Sequence, residues 1–302
     1  MKKILILPGG GIKGLIQLPL LMKMEEQTKQ PIYKTFDLIV GSSVGAITGG
    51  VLSTGKISMS EYYAIFNTEL FKLFHTNFAT WFRIISGKPK YSRQPFYDIM
   101  DRHIEHGRKI PMNQCKTMFM CTSVNLCDNR THFFKSWEKK DGQLNLTESI
   151  TRSFAAPYYF GMKVDDETKS LWVDGGLGET NCPIMFAYVE ALRQQWTKTD
   201  VVEFTIIGTG YTSDIFDYEK YKHTGNVKQI LKYMSPGSGG FARIQTLPMK
   251  IEKMKQISNH TPNIEFKYYD VEIQKQHDTM DEFKYRKEYI KYGLSLIRPQ
   301  GV

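Results

Sequence analysis

Ser43 sits in Gly41-Ser42-Ser43-Val44-Gly45, a Gly-x-Ser-x-Gly pentapeptide that follows the apolar run Phe36 to Val40 and opens a helix-compatible stretch, Val44 to Thr54. A serine on a sharp strand-to-helix turn has its hydroxyl lifted clear of the backbone. Glycine at the flanking positions, here Gly41 and Gly45, avoids a steric clash in such a turn. The helix that follows aims its free N–H groups and positive dipole end at any oxyanion formed there. Ser43 is therefore the candidate nucleophile, although the pentapeptide alone also occurs as a turn without chemistry.

A second glycine cluster, Pro8-Gly9-Gly10-Gly11-Ile12-Lys13-Gly14, lies between the apolar segment Ile4 to Leu7 and the stretch Leu15 to Met24. Successive glycines let a backbone turn with its N–H groups converging on one point, as needed to hold a developing negative charge. Gly9, Gly10 and Gly11 are candidate oxyanion-hole donors for Ser43. The rival is a nucleotide-phosphate loop, but no acidic residue ends a second strand at the required distance, and Gly14 is followed by Leu15 rather than Lys-Ser/Thr. Lys13 would neutralise an anionic substrate, brace the loop or simply be solvated. The third element is Leu171-Trp172-Val173-Asp174-Gly175-Gly176, where a short apolar strand delivers a carboxylate into a glycine turn. Gly175 and Gly176 remove side-chain bulk, so Asp174 can approach a hydroxyl closely. Asp-Gly is also a common turn dipeptide.

In this order, the three elements resemble the patatin-like phospholipase family, lipid acyl hydrolases that use a serine-aspartate dyad. Three further segments fit the resemblance: Ser153 to Phe160, similar to the family's Ser-x-Ala-x-Pro segment; Asn181-Cys182-Pro183, similar to its Asn-Pro step; and Ile207-Gly208-Thr209-Gly210, similar to its Gly-Thr-Gly turn. Pro8 stands where plant patatins usually have aspartate, and Lys13 where arginine is commoner. Neither removes a backbone donor. The extra residue in Asn181-Cys182-Pro183 is expected to lie outside the chemistry.

The resemblance implies a three-layer α/β/α fold and makes Asp174 the general base. It would take the Ser43 proton during attack on an ester carbonyl and then activate water to release the acyl-enzyme. An aspartate titrates near 3.9 in water, so the site must be partly desolvated to raise its basicity. His223, His260 and His277 follow Asp174 in the order of a Ser-Asp-His triad, but each is flanked by polar or charged residues, and surface positions are expected.

The elements that must position these groups follow from the apolar pattern. Apolar segments at 4–7, 36–41, 117–124, 170–173 and 201–208 alternate with helix-compatible stretches at 15–27, 44–54 and 184–196. That predicts an α/β fold, a central mostly parallel sheet wrapped by helices, with the glycine turns at the carboxyl ends of strands, where such sheets bind ligands. The 302 residues, 41% of them hydrophobic, bury a sizeable core, and without a linker-like stretch or repeat a single domain over 1–302 is expected.

No stretch approaches the roughly twenty apolar residues of a membrane span, and the N-terminal apolar run is too short for a secretory signal, so a cytoplasmic protein is expected. Cys115, Cys121, Cys127 and Cys182 lack zinc-site spacing, so free thiols, no metal and no cofactor are expected. A formal charge of +9, from 40 basic against 31 acidic residues, suits an anionic membrane surface and equally suits a protein that is merely lysine-rich. No nucleic-acid-binding signature accompanies it. Phe71, Phe74, Phe78 and Trp81 recur at helical spacing within the aromatic stretch 62–82, as a core-packing stripe or an interfacial lid. Arg83 to Arg93 reads as a loop beside the cleft, Ser235 to Gly240 as another loop, and Asp281 to Leu296 as a final helix. The expected activity is phospholipase A-type hydrolysis of membrane phospholipid by a peripherally attached enzyme. The alternatives are an esterase or lipase on neutral or soluble esters, and a catalytically silent lipid-binding protein. Some family members stay inactive until a cofactor protein or small nucleotide binds, which implies an activator that no residue here identifies.

Overall fold

The computed structural model describes residues 1–74, 78–104, 107–177, 179–212 and 240–297. The strands are β1 (Lys2–Leu7), β2 (Leu38–Gly41), β3 (Met118–Asn125), β4 (Arg130–Lys135), β5 (Lys163–Asp165), β6 (Ser170–Asp174), β7 (Val202–Ile207) and β8 (Ile264–Tyr269). They form one sheet in the order β5-β6-β3-β2-β1-β7-β8, with β4 also paired to β3. From β3 through β2, β1 and β7 to β8 all pairings are parallel, while β4, β6 and β5 join antiparallel.

Central strands of a parallel sheet are covered on both faces and read as continuous apolar runs. Residues 4–7 of β1, all of β2 and all of β7 are buried. Alternation along them separates two apolar layers. Leu5, Leu7, Ile39 and Phe119 face one layer, and Ile4, Ile6, Leu38, Val40 and Met120 the other. The first layer is built by α1 (Gln17–Thr28), α2 (Ile32–Thr35), α3 (Val44–Ser53), α4 (Met59–Thr68), α6 (Gln94–His103) and α7 (Leu146–Ser153), with α5 (Phe78–Ile85) between α4 and α6 in sequence. The second is built by α8 (Ile184–Arg193), α9 (Trp196–Thr199) and α10 (Gly240–His260), whereas α11 (Arg286–Ser295) returns to the first layer through buried Tyr289. The result is the expected three-layer α/β/α arrangement.

The expected strands are all present within a residue or two; β4, β5 and β8 add to them. Two expectations change. The aromatic stretch is not one helix: α4, capped by a reciprocal Ser58–Glu61 box, ends at Thr68, a 3-10 turn spans Leu70–Phe74, and α5 starts at Phe78. Tyr62, Phe66 and Phe74 are buried, as a core stripe should be, while the side chains of Phe78, Trp81 and Phe82 lie outside the described residues. The final helix starts at Arg286 rather than Asp281, because Asp281 accepts hydrogen bonds from Lys90 Nζ and Tyr91 Oη. His223 and residues 235–239 lie outside the described residues.

β6 positions the site. In register, Gly41 at the end of β2 lies beside Cys121, and β3 continues past it to Asn125. β6 pairs antiparallel with that overhang and runs back toward the sheet edge, so that Asp174 lies opposite Ser123. A strand of opposite direction thus brings its last residue to the carboxyl edge of the parallel strands, where β1 and β2 end.

Candidate active site

Two residues, Ser42 and Ser43, make the turn between β2 and α3. A Cβ on Gly45 would stand 1.9 Å from the Leu7 carbonyl oxygen, so only glycine lets α3 start this close to β1. Ser43 is held at φ 53°, ψ −122°, a region that costs a non-glycine residue about 1–3 kcal/mol. A serine at a helix N-cap ordinarily turns its hydroxyl back onto the first turn. Here that bond is not made. Ser43 Oγ instead donates to Asp174 Oδ2 at 2.7 Å, and the Ser43 N–H donates to Ser153 Oγ at 3.1 Å.

Asp174 Oδ1 accepts the Gly176 N–H at 2.6 Å, which leaves Oδ2 to Ser43. Burial pushes the Asp174 carboxyl up to about 6, against the opposing pull of the hydrogen bonds from Gly176 and Ser43. The desolvation that the chemistry requires is present.

The glycine loop runs directly against Ser43, since a Cβ on Gly9 would fall 2.9 Å from Ser43 Cβ. Gly9 itself is anchored: its N–H donates to the Asn181 carbonyl at 3.1 Å and its carbonyl accepts from Thr209 Oγ1 at 3.0 Å. Gly11 has φ 60°, and a Cβ there would lie 2.1 Å from the Met280 carbonyl, which accepts the Ile12 N–H at 2.8 Å. Among the described residues the Gly10 and Gly11 N–H groups have no acceptor within the protein. Of the three glycines expected as oxyanion donors, Gly9 has its N–H committed to Asn181, and the N–H groups of Gly10 and Gly11 remain available to a ligand. Gly11, Ser43 and Asp174 line a small pocket together with apolar groups that include Ile47, Phe74 and Phe160. The cavity measures about 20 Å³, room for about one water and far below the several hundred Å³ of a typical ligand site.

Residues 5–188, more than half of the chain, match the family model described as Patatin-like phospholipase. The chain belongs to the patatin-like phospholipase family. It is 29% identical over 214 residues to a cGAMP-activated phospholipase of Escherichia coli, covering 66% of this chain and 58% of that protein. Over 228 residues it is 29% identical to a cGAMP-activated phospholipase of Vibrio cholerae, covering 68% of this chain and 64% of that one. A calcium-independent phospholipase A2-gamma of Mus musculus is 29% identical over 243 residues, 72% of this chain and 30% of the mouse protein. The chain thus spans less than two thirds of the length of these relatives.

The remaining candidates in this patatin-like chain divide clearly. Lys13 is not solvated. It is buried with Asp278, 2.7 Å from its carboxylate, and so braces the loop to the segment that carries Met280. Gly14 packs against Val44, and Gly41 against the backbone of Gly45. Asn181 lies between the two glycine turns; its side-chain oxygen would meet a Cβ on either Gly9 or Gly176 within 2.8 Å. The Asn-Pro resemblance pointed to this residue, but nothing local assigned it a contact. Met280 was missed altogether, because its part is played through a main-chain carbonyl.

His260 is exposed at the end of α10. His277 is buried rather than on the surface, with Nδ1 2.9 Å from Tyr292 Oη and its ring 4.7 Å from that of Tyr285, and it does not line the pocket. Cys121 and Cys182 are buried, Cys115 is half-buried and Cys127 exposed, all as free thiols. Among the described residues no cluster of His, Cys, Asp and Glu could hold a metal ion, and no helix is long and apolar enough to cross a membrane.

Proposed function

We propose that this chain is a lipid acyl hydrolase, with one catalytic unit over 1–302 acting on ester bonds of membrane phospholipids. Ser43 Oγ attacks the ester carbonyl as its proton passes to Asp174 Oδ2. The Gly10 and Gly11 N–H groups and the N-terminus of α3 hold the oxyanion. The alkoxide leaving group takes the proton from Asp174, and the acyl group stays on Ser43. A water then gives its proton to Asp174 and attacks the acyl-enzyme, releasing fatty acid and regenerating Ser43. The observation that carries this reading is the 2.7 Å contact between a strained serine and a buried carboxyl raised to about 6.

A cavity of about 20 Å³ admits no acyl chain unless its aromatic wall parts, which supports a need for an activating event. The names of the bacterial relatives point to a cyclic dinucleotide as the class of activator to try. Peripheral membrane attachment from the cytoplasmic side belongs to the same reading. The small cavity also favours a second one, turnover of short soluble esters, which a chain-length series separates from the first.

The test is fatty-acid release from phospholipid vesicles, with and without cyclic dinucleotides, for wild type, Ser43→Ala, Asp174→Ala and His277→Ala. The expected pattern is release by wild type and the histidine variant, with both dyad variants inactive. Inactivity of folded His277→Ala overturns the dyad, and binding to vesicles with no turnover under any condition overturns the enzyme.

A further inference from the structure

Two neighbouring segments frame the pocket and carry no acidic residue. Arg83 to Gln94 contains four basic residues and no Asp or Glu, and Phe154 to Lys163 contains one basic residue and no Asp or Glu. They are joined edge to edge: the Lys90 N–H donates to the Tyr158 carbonyl at 3.2 Å, the Tyr91 N–H to the Tyr159 carbonyl at 2.6 Å, and Arg93 Nη2 to the Gly161 carbonyl. Part of each segment belongs to the pocket. Tyr159 and Phe160 line it, and the Tyr91 ring packs on Phe74 and Phe160.

The outer side of the same segments exposes large apolar groups. Ile85 is 63% and Tyr158 61% exposed, and Ile84 and Met162 are also exposed. Lys90 and Lys163 are neutralised by Asp281 and Glu148. Among the described residues Arg83 and Lys88 make no ion pair, while the Arg93 guanidinium is largely buried and lies in the field of Glu148. Arg83 spends its donors on the carbonyls of Pro89 and Tyr91, which leaves its charge intact, and Lys88 is exposed.

We propose that this rim is a docking surface for an anionic phospholipid bilayer. Ile84, Ile85, Tyr158 and Met162 enter the headgroup boundary, and Arg83 and Lys88 lie at the phosphate level. The occupant is set by charge and side-chain type. Exposed aliphatic groups with an aromatic, flanked by the cations Arg83 and Lys88 and with the nearby carboxylates Asp281 and Glu148 each paired to a lysine, match a surface that is apolar below and negative above. The proposal rests on the lipid-hydrolase reading and adds to it where the bilayer meets the enzyme. Because the inner residues of the same segments wall the cleft, docking here places the lipid at the pocket that holds Ser43.

The test uses Ser43→Ala protein, so that vesicles stay intact, and measures cosedimentation with phosphatidylcholine vesicles with and without phosphatidylglycerol. Binding should require the anionic lipid. Lys88→Glu, a change of two charge units, should lower partitioning by about 25-fold, at roughly fivefold per charge. Ile85→Asp should lower it by about fiftyfold, roughly fivefold for the added charge and about tenfold for the lost apolar side chain. Lys253→Glu, an exposed lysine on α10 across the sheet, should change it less than about twofold. In protein with Ser43 intact, the ratio of vesicle turnover to soluble-ester turnover should fall in parallel. Equal binding to neutral vesicles, or equal effects of Lys88→Glu and Lys253→Glu, overturns the surface. Vesicle hydrolysis that survives Lys88→Glu/Ile85→Asp overturns the surface and leaves the hydrolase standing. Binding that follows the expected pattern without turnover of any ester leaves the surface standing and removes the hydrolase.

Discussion

The ionisation of Asp174 sets the pH profile that a serine-aspartate dyad must show, and the Asp174→Asn and His277→Ala variants then separate that dyad from a histidine base titrating in the same range. A general base must be deprotonated to act, and kcat/KM reports its titration in the free enzyme. With the carboxyl at about 6, roughly one molecule in eleven is active at pH 5 and ten in eleven at pH 7, so kcat/KM should rise about tenfold between them. A carboxyl left at 3.8 would give a change of under about 1.1-fold over the same range. The assay is hydrolysis of a soluble, non-titrating short-chain ester, which avoids the pH dependence of vesicle binding. Asp174→Asn should lower kcat by about 10²- to 10⁴-fold, the usual contribution of a general base.

The same burial has a consequence for stability. Unfolded, the carboxyl loses its proton near 3.8; folded, near 6. Between these values the native state binds the extra proton, so stability is fully present below about 3.8 and declines as pH rises through 6. The complete penalty is about 3 kcal/mol, since each pH unit separating the folded from the unfolded titration is worth about 1.4 kcal/mol. Asp174→Asn, which carries no charge to desolvate, should therefore be more stable than wild type at pH 8 by up to about 3 kcal/mol in urea unfolding, with the gap closing toward pH 4. An activity limb centred near 4, or one near 7 that disappears in His277→Ala, would refute the assignment of base and environment together.

The buried Lys13–Asp278 pair and the glycine contacts make separate predictions. Lys13→Met leaves a carboxylate buried beside the loop and should cost about 3–5 kcal/mol in urea unfolding, while Lys13→Met/Asp278→Leu should recover most of it; equal loss in both would show that the pair is not the cause. Gly45→Ala forces a Cβ onto a main-chain oxygen and should cost about 3 kcal/mol or more, whereas Gly87→Ala, with φ 71° and open space around it, should cost only about 1 kcal/mol; thermal melts of the two variants check the contrast.

Where a residue's part is set by its immediate neighbours, the chain could be read directly. The β2-turn-α3 unit around Ser43 and the β1-turn unit around Gly9 to Gly14 occur where their motifs put them, because only glycine satisfies the close approach at Gly45 and the positive φ at Gly11. The helical aromatic stripe misled because its spacing continues past Thr68, where α4 ends, and periodicity alone does not reveal that a 3-10 turn then intervenes before α5. His277 was misjudged for a related reason: its sequence neighbours are polar, but its spatial neighbours are Tyr285 and Tyr292.

By itself the sequence determined the fold class, the turn that presents Ser43, and the types of group that surround it, since these follow from local sterics and from apolar alternation along each strand. Only the tertiary structure decided that β6 returns antiparallel on the overhang of β3 to set Asp174 2.7 Å from Ser43, that burial raises its carboxyl, and that Lys13 meets Asp278 from 265 residues away. Those outcomes depend on which strands pair and on how completely water is excluded when the layers close. Both are sums over contacts distant in the chain, which no local window contains.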